Sequence, residues 1–108
     1  MVARKAETVT VALSGEYDLS NRDDIIAAFL PANMATTTIV DLTNASYLDS
    51  CFLLALLDFS EKMTLSQGHS DVRLAGASRH LSRVFFATGF DRMFHMYASV
   101  DEALAADA

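Results

Sequence analysis

Apolar residues in this chain fall into two alternating patterns. Thr8–Gly15 (TVTVALSG) is rich in β-branched residues with partial period-two alternation and predicts a strand. The polar EYDLSN that follows predicts a turn or loop. Ser20 or Asn21 is placed to cap a helix over Arg22–Leu30, whose apolar face is Ile25, Ile26, Phe29 and Leu30, and Pro31 closes it. Thr36–Thr43 (TTTIVDLT) predicts a second strand with Ile39 and Val40 at an interior centre. A long apolar-periodic segment then predicts a helix from Ser50 to about Gln67, with Gly68 as the residue that ends it.

The pattern repeats towards the C-terminus. Asp71–Ala77 predicts a third strand, and a helix runs from about Arg79 to Gly89. His95–Ala98 predicts a short fourth strand. Ser99 and Glu102 have the spacing of a capping box, so a last helix starts at Val100. The order β-α-β-α-β-α-β-α predicts an α/β fold, with a mixed, mostly parallel sheet and about four helices packed on it. With 108 residues the chain has room for one domain, read as 1–108 with a core of about 8–106.

Within the long helix the period of 3.6 places Phe52, Leu56, Phe59 and Met63 on one stripe, flanked by Leu53 and Leu57. That broad face must pack on the sheet. Leu54 falls on the other side with Asp58, Glu61 and Leu65, which makes it a candidate exposed apolar residue.

Composition and charge narrow the functional classes. Hydrophobic residues make up 52% of the chain, which argues against disorder. The formal net charge of −6 disfavours binding to a phosphate backbone and suits docking on a basic protein surface. The longest apolar block, Cys51–Leu57, is too short to span a bilayer, and MVARKAETVTV lacks the apolar run of a secretory signal. A cytoplasmic protein without membrane insertion is expected. Cys51 is the single cysteine, so no internal disulfide forms.

Little in the sequence points to catalysis. His69, His80 and His95 show no i, i+4 pairing, so no zinc site is expected, and no cofactor either. No G-x-S-x-G elbow and no glycine-rich phosphate loop occurs. The adjacent acids Asp23-Asp24 and Asp101-Glu102 sit at helix starts, where they favour the positive helix end. Cys51 reads as a small buried hydrophobe. Ser50 reads as an N-cap; if Asp49 takes that role instead, the Ser50 hydroxyl is left to face solvent.

Four segments in order resemble the STAS domain family of bacterial anti-sigma factor antagonists: ALSGEYDLSN, TIVDLTNASYLDSCFLLALL, VRLAGAS and FFATGFDRMFHMYASVDEALA. Together they span about Val9–Ala105. The resemblance implies a non-enzymatic switch protein. It binds an anti-sigma factor that is itself a serine kinase, is inactivated by phosphorylation, and is restored by a serine phosphatase. The implied phosphoacceptor is Ser50, with Asp18 and Asp49 as its acidic neighbours. The implied partner-binding surface comprises Ser20, Asn21, Ser50, Cys51, Phe52 and Leu54, and the implied state is a monomer or weak dimer. Cys51 and Phe52 depart from the family's serine and glycine. A second reading follows from that departure: a non-phosphorylated STAS interaction module, such as a small cytoplasmic subunit of a lipid-transport ABC assembly.

Overall fold

The computed structural model describes residues 7–32 and 35–106. The start of the stretch read as lacking a secretory signal lies outside them. Four strands form one sheet: β1 (Thr8–Tyr17), β2 (Thr37–Leu48), β3 (Val72–Ala75) and β4 (His95–Tyr97). Their order is β1-β2-β3-β4, and every pairing among them is parallel, where a mixed, mostly parallel sheet is expected from the sequence. Each crossover contains a helix, which returns the chain to the same end of the sheet and makes parallel pairing the natural outcome. The crossover helices are α1 (Arg22–Phe29), α2 (Ser50–Gln67) and α3 (Arg79–Thr88). A one-turn helix, α4 (Phe90–Met93), follows α3, and α5 (Val100–Ala105) ends the described chain. The extra turn α4 raises the count of α-helices among the described residues to five, from about four expected.

The sheet has two unequal faces. Val11, Leu13, Val40, Leu42, Val72 and Leu74 point to one side, where α1, α2 and α3 contribute Ile25, Phe29, Phe52, Leu56, Leu81 and Phe85. This is the main core. On the other side Ile39 and Ala75 pack against Ala103 of α5, with Tyr97 and Val100 beside them. Arg73 shares this second face and is buried. Its guanidinium reaches the carbonyls of Ala103 and Ala106 at 2.6 and 2.9 Å, satisfying carbonyls that the end of α5 leaves open. Asp71 holds it from the other direction, with both carboxylate oxygens 3.1 Å from guanidinium nitrogens.

Two strands run further than local sequence suggests. β1 continues to Tyr17 and β2 to Leu48, although the local pattern ends them at Gly15 and Thr43. Mutual pairing supplies the ladder: Ser14 pairs with Asn44, Gly15 with Ala45 and Tyr17 with Leu48. Register shifts between Ala12 and Ser14 and between Gly15 and Glu16 absorb the irregularity. Since β3 pairs only with Thr38–Asp41, the ends of β1 and β2 project past it as a two-stranded ribbon. The ribbon carries the start of α2 away from the centre of the sheet.

Candidate functional site at the start of α2

Asp49 follows the last residue of β2, and its backbone N–H donates to the Tyr17 carbonyl at 3.1 Å. Its backbone is extended, and its carboxylate accepts the N–H groups of Cys51 at 2.8 Å and Phe52 at 3.3 Å. Asp49 is therefore the N-cap, satisfying two donors that the first helical turn leaves open. Ser50 becomes the first helical residue and is exposed. Among the described residues no hydrogen bond engages its hydroxyl. Of the two caps the sequence allows, the structure adopts Asp49.

The pairing of Tyr17 with Leu48 sets Asp18 and Asp49 on adjacent strand ends. Asp18 has its own structural role. Its carboxylate accepts the Ser20 hydroxyl and the Ser20 N–H, the latter at 2.8 Å, and caps a single 3-10 turn over Leu19–Asn21. Asn21 completes the box, accepting the Asp18 N–H at 2.8 Å and donating to the Glu16 carbonyl at 2.7 Å. The hydroxyl and backbone bonds from Ser20, aided by the Asn21 backbone and opposed by burial, hold the Asp18 carboxyl below its ordinary value. Asn21 occupies the cap position of α1, but its side chain makes no cap bond to that helix. The expected capping by Ser20 or Asn21 is replaced by Asp18 one turn earlier, because the chain tightens into a 3-10 turn before α1 begins.

Phe52 corrects an expectation. Assigned to a partner surface, its side chain is 0% exposed. Its ring centre lies 6.0 Å from Tyr17 and 6.1 Å from Phe29, and Phe29 stacks on Phe59 at 4.9 Å. The ring faces into the core because position 52 belongs to the same helical stripe as Leu56, Phe59 and Met63. It joins α1 to α2 and leaves the outer side of the first turn unobstructed. Cys51 is half-buried and free. Leu54 is 66% exposed, as the helical period predicts.

Between α1 and α2 lies a groove of about 520 Å³ lined by Arg22, Ile26, Ser50, Cys51, Leu54 and Asp58, among others. It continues along the helices past Leu30 to Lys62. Ile26 and Leu30 are exposed apolar residues, and Lys62 pairs with Asp58 at 2.9 Å on the surface. Arg22 and Ile26 escape a sequence reading, since nothing local says that α1 packs beside the start of α2. Ser50, Cys51 and Leu54 come together in this groove, Asp18 and Ser20 stand at the neighbouring strand end, and Phe52 lies beneath. No histidine is in the lining, so the groove forms no Ser-His pair with Ser50. Among the described residues no group of His, Cys, Asp and Glu is arranged to hold a metal ion, and no helix is long and apolar enough to cross a membrane. An apolar strip with a charged rim is the chemistry of a docking surface.

Comparison with known proteins agrees with this architecture. No curated protein matches the chain in sequence. Among solved structures, an anti-sigma factor antagonist from Mycobacterium paratuberculosis is similar, with a TM-score of 0.72 at 24% identity, covering 95% of this chain and 88% of that one. The Bacillus anti-sigma factor antagonist SpoIIAA in its unphosphorylated form gives a TM-score of 0.66 at 22% identity, covering 95% and 90%. A sulfate transporter family protein from Wolinella succinogenes gives 0.73 at 19%, covering 91% and 82%. The family model of the STAS domain matches residues 1–103, and with the all-parallel sheet and its crossover helices this chain belongs to the STAS domain family.

Proposed function

We propose that this STAS domain is an anti-sigma factor antagonist, docking through the α1–α2 groove and switched by phosphorylation of Ser50. The observation that carries the reading is the division of labour at the start of α2. Asp49 does the capping, so the Ser50 hydroxyl is exposed and unengaged at the edge of an apolar groove. A cap hydroxyl would have to break its bond to be modified; this one does not.

The acceptor role needs a kinase supplied by the partner, which brings the ATP and the base that receives the proton. The Ser50 oxygen takes the γ-phosphoryl group of ATP, ADP leaves, and the hydroxyl proton passes to the kinase. The product adds about −1.5 to −2 charges at neutral pH. Those charges sit at a helix start, where the positive end of the helix favours them, but beside Asp49 and near Asp18. The added bulk and charge lie at the mouth of the groove, so a partner seated there is displaced. A loss of about 3 kcal/mol lowers affinity by roughly a hundredfold. The SpoIIAA relative exists in unphosphorylated and phosphorylated forms, which supports the same reading for Ser50. In this scheme the chain is a ligand and a substrate in the cytoplasm, its partners being a kinase-type anti-sigma factor and a serine phosphatase.

The test combines capture and mass spectrometry. A kinase-type anti-sigma factor should bind the natural chain and Ser50→Ala, lose Ser50→Asp, and with ATP place phosphate on Ser50 alone. Equal binding of all three forms, or capture of a transporter ATPase instead, would replace the switch with the non-phosphorylated interaction module.

A further inference from the structure

The opposite edge of the sheet carries a surface that the Ser50 switch does not use. Arg79, Arg83 and Phe86 lie on one face of α3 at spacings of four and three residues, and all are exposed, Phe86 to 71%. The inward face of α3 is Leu81 and Phe85, both fully buried, so packing holds the outward residues in place. These outward residues border an open basin completed by His95 and Met96 of the edge strand β4 and by Asp91. Arg92 and the exposed Met93 adjoin it through α4. None of the residues lining this basin lines the α1–α2 groove.

We infer that this basin is a second docking surface, for an acidic segment of a partner protein that carries apolar side chains. Charge is the first argument. The chain is net −6, yet residues 79–95 hold three arginines against one acid. Among the described residues those arginines form no ion pair, whereas Lys62 and Arg73 do. Asp91 is the single acid in the lining, against Arg79 and Arg83, and forms no ion pair with them, so the basin keeps a net positive charge. Composition is the second argument. Arginine, phenylalanine and methionine are the residue types enriched where protein surfaces meet, and lysine and glutamate are depleted there. An exposed phenyl ring between guanidinium groups offers an apolar anchor within a cationic rim. A partner bearing carboxylates is attracted here and repelled by the rest of an acidic chain, which confines it to this face.

The full chain, labelled with nitrogen-15, is titrated with a synthetic amphipathic peptide bearing glutamate on one face and leucine on the other. The expected result is saturable amide shifts within residues 79–95, weaker at high salt. Arg79→Glu combined with Arg83→Glu, and separately Phe86→Ala, should each weaken binding roughly tenfold, while Ser50→Asp leaves it unchanged. All of these positions are exposed, so the variants fold. Three results overturn the inference: shifts centred elsewhere or indifferent to the arginine reversals, equal binding of the peptide's lysine counterpart, or the same residues engaging phosphatidylglycerol vesicles or a second copy of the chain instead of the peptide. Because Ser50→Asp serves as the silent control, failure of the switch leaves this test intact.

Discussion

Replacing Phe52 with alanine separates a core role from a contact role. The ring is completely buried between Tyr17 and Phe29. A buried aromatic side chain removes about 150–250 Å² from water. At about 25 cal/mol per Å² this amounts to about 4–6 kcal/mol for the whole side chain. Alanine keeps the β-carbon and the surroundings partly collapse, so Phe52→Ala should cost about 3–5 kcal/mol. That is a large share of the roughly 5–15 kcal/mol that holds a domain together. In urea, with a slope of about 1–2 kcal/mol per molar, the midpoint should fall by about 1.5–5 M. Leu54→Ala, two residues away on the exposed side, should stay within about 0.5 kcal/mol of the natural chain. Phe52→Leu should retain most of the stability and all of the partner binding. If Phe52→Ala costs less than about 1 kcal/mol, or no more than Leu54→Ala, the ring does not anchor α1 to α2 and the reasoning fails.

Four further outcomes follow from particular contacts. Asp49→Ala should lower stability by about 0.5–2 kcal/mol through loss of the α2 cap, and Asp49→Ser should recover most of it in chemical denaturation. Arg73→Ala strands the Asp71 carboxylate and opens the end of α5; a loss of about 3–5 kcal/mol and faster amide exchange within α5 are expected. Burial raises the Asp71 pKa, but the hydrogen bonds from Arg73 and Thr37, with the charges of Arg73 and His69, outweigh it and hold the carboxyl below its ordinary value. The stabilisation is thus complete above the unfolded carboxyl value of about 3.9 and disappears as pH falls through the lower folded value, so Asp71→Asn should flatten the acid limb of a stability–pH curve. Gly76→Ala should cost about 1–3 kcal/mol in thermal melts, because φ is +74° and an added β-carbon would collide with Thr43 Oγ1 and lie 3.3 Å from the Thr43 nitrogen.

Local chemistry settles much of this molecule. The period of the apolar residues places α2 at Ser50–Gln67, Gly68 and Gly89 end helices in the left-handed conformation, and Ser99 opens α5 at Val100. These features depend on side-chain spacing and backbone freedom within a few residues, which a sequence displays directly. The outward position of Leu54 and the inward stripe of Phe52, Leu56, Phe59 and Met63 follow from the same geometry.

Long-range pairing decides the rest. Asn44–Leu48 become strand because β1 continues beside them, and no local signal announces that. Arg22 and Ile26 meet Ser50 only when α1 packs against α2. Arg73 finds its partners about thirty residues away, at 103 and 106. The sequence by itself determined that an acid and a serine stand where a strand gives way to a helix. Which of them caps the helix was decided by the tertiary structure. The bond from the Asp49 N–H to Tyr17, across the β1–β2 ribbon, holds Asp49 extended at the strand end with its carboxylate over the first turn, and the Ser50 hydroxyl is left facing solvent.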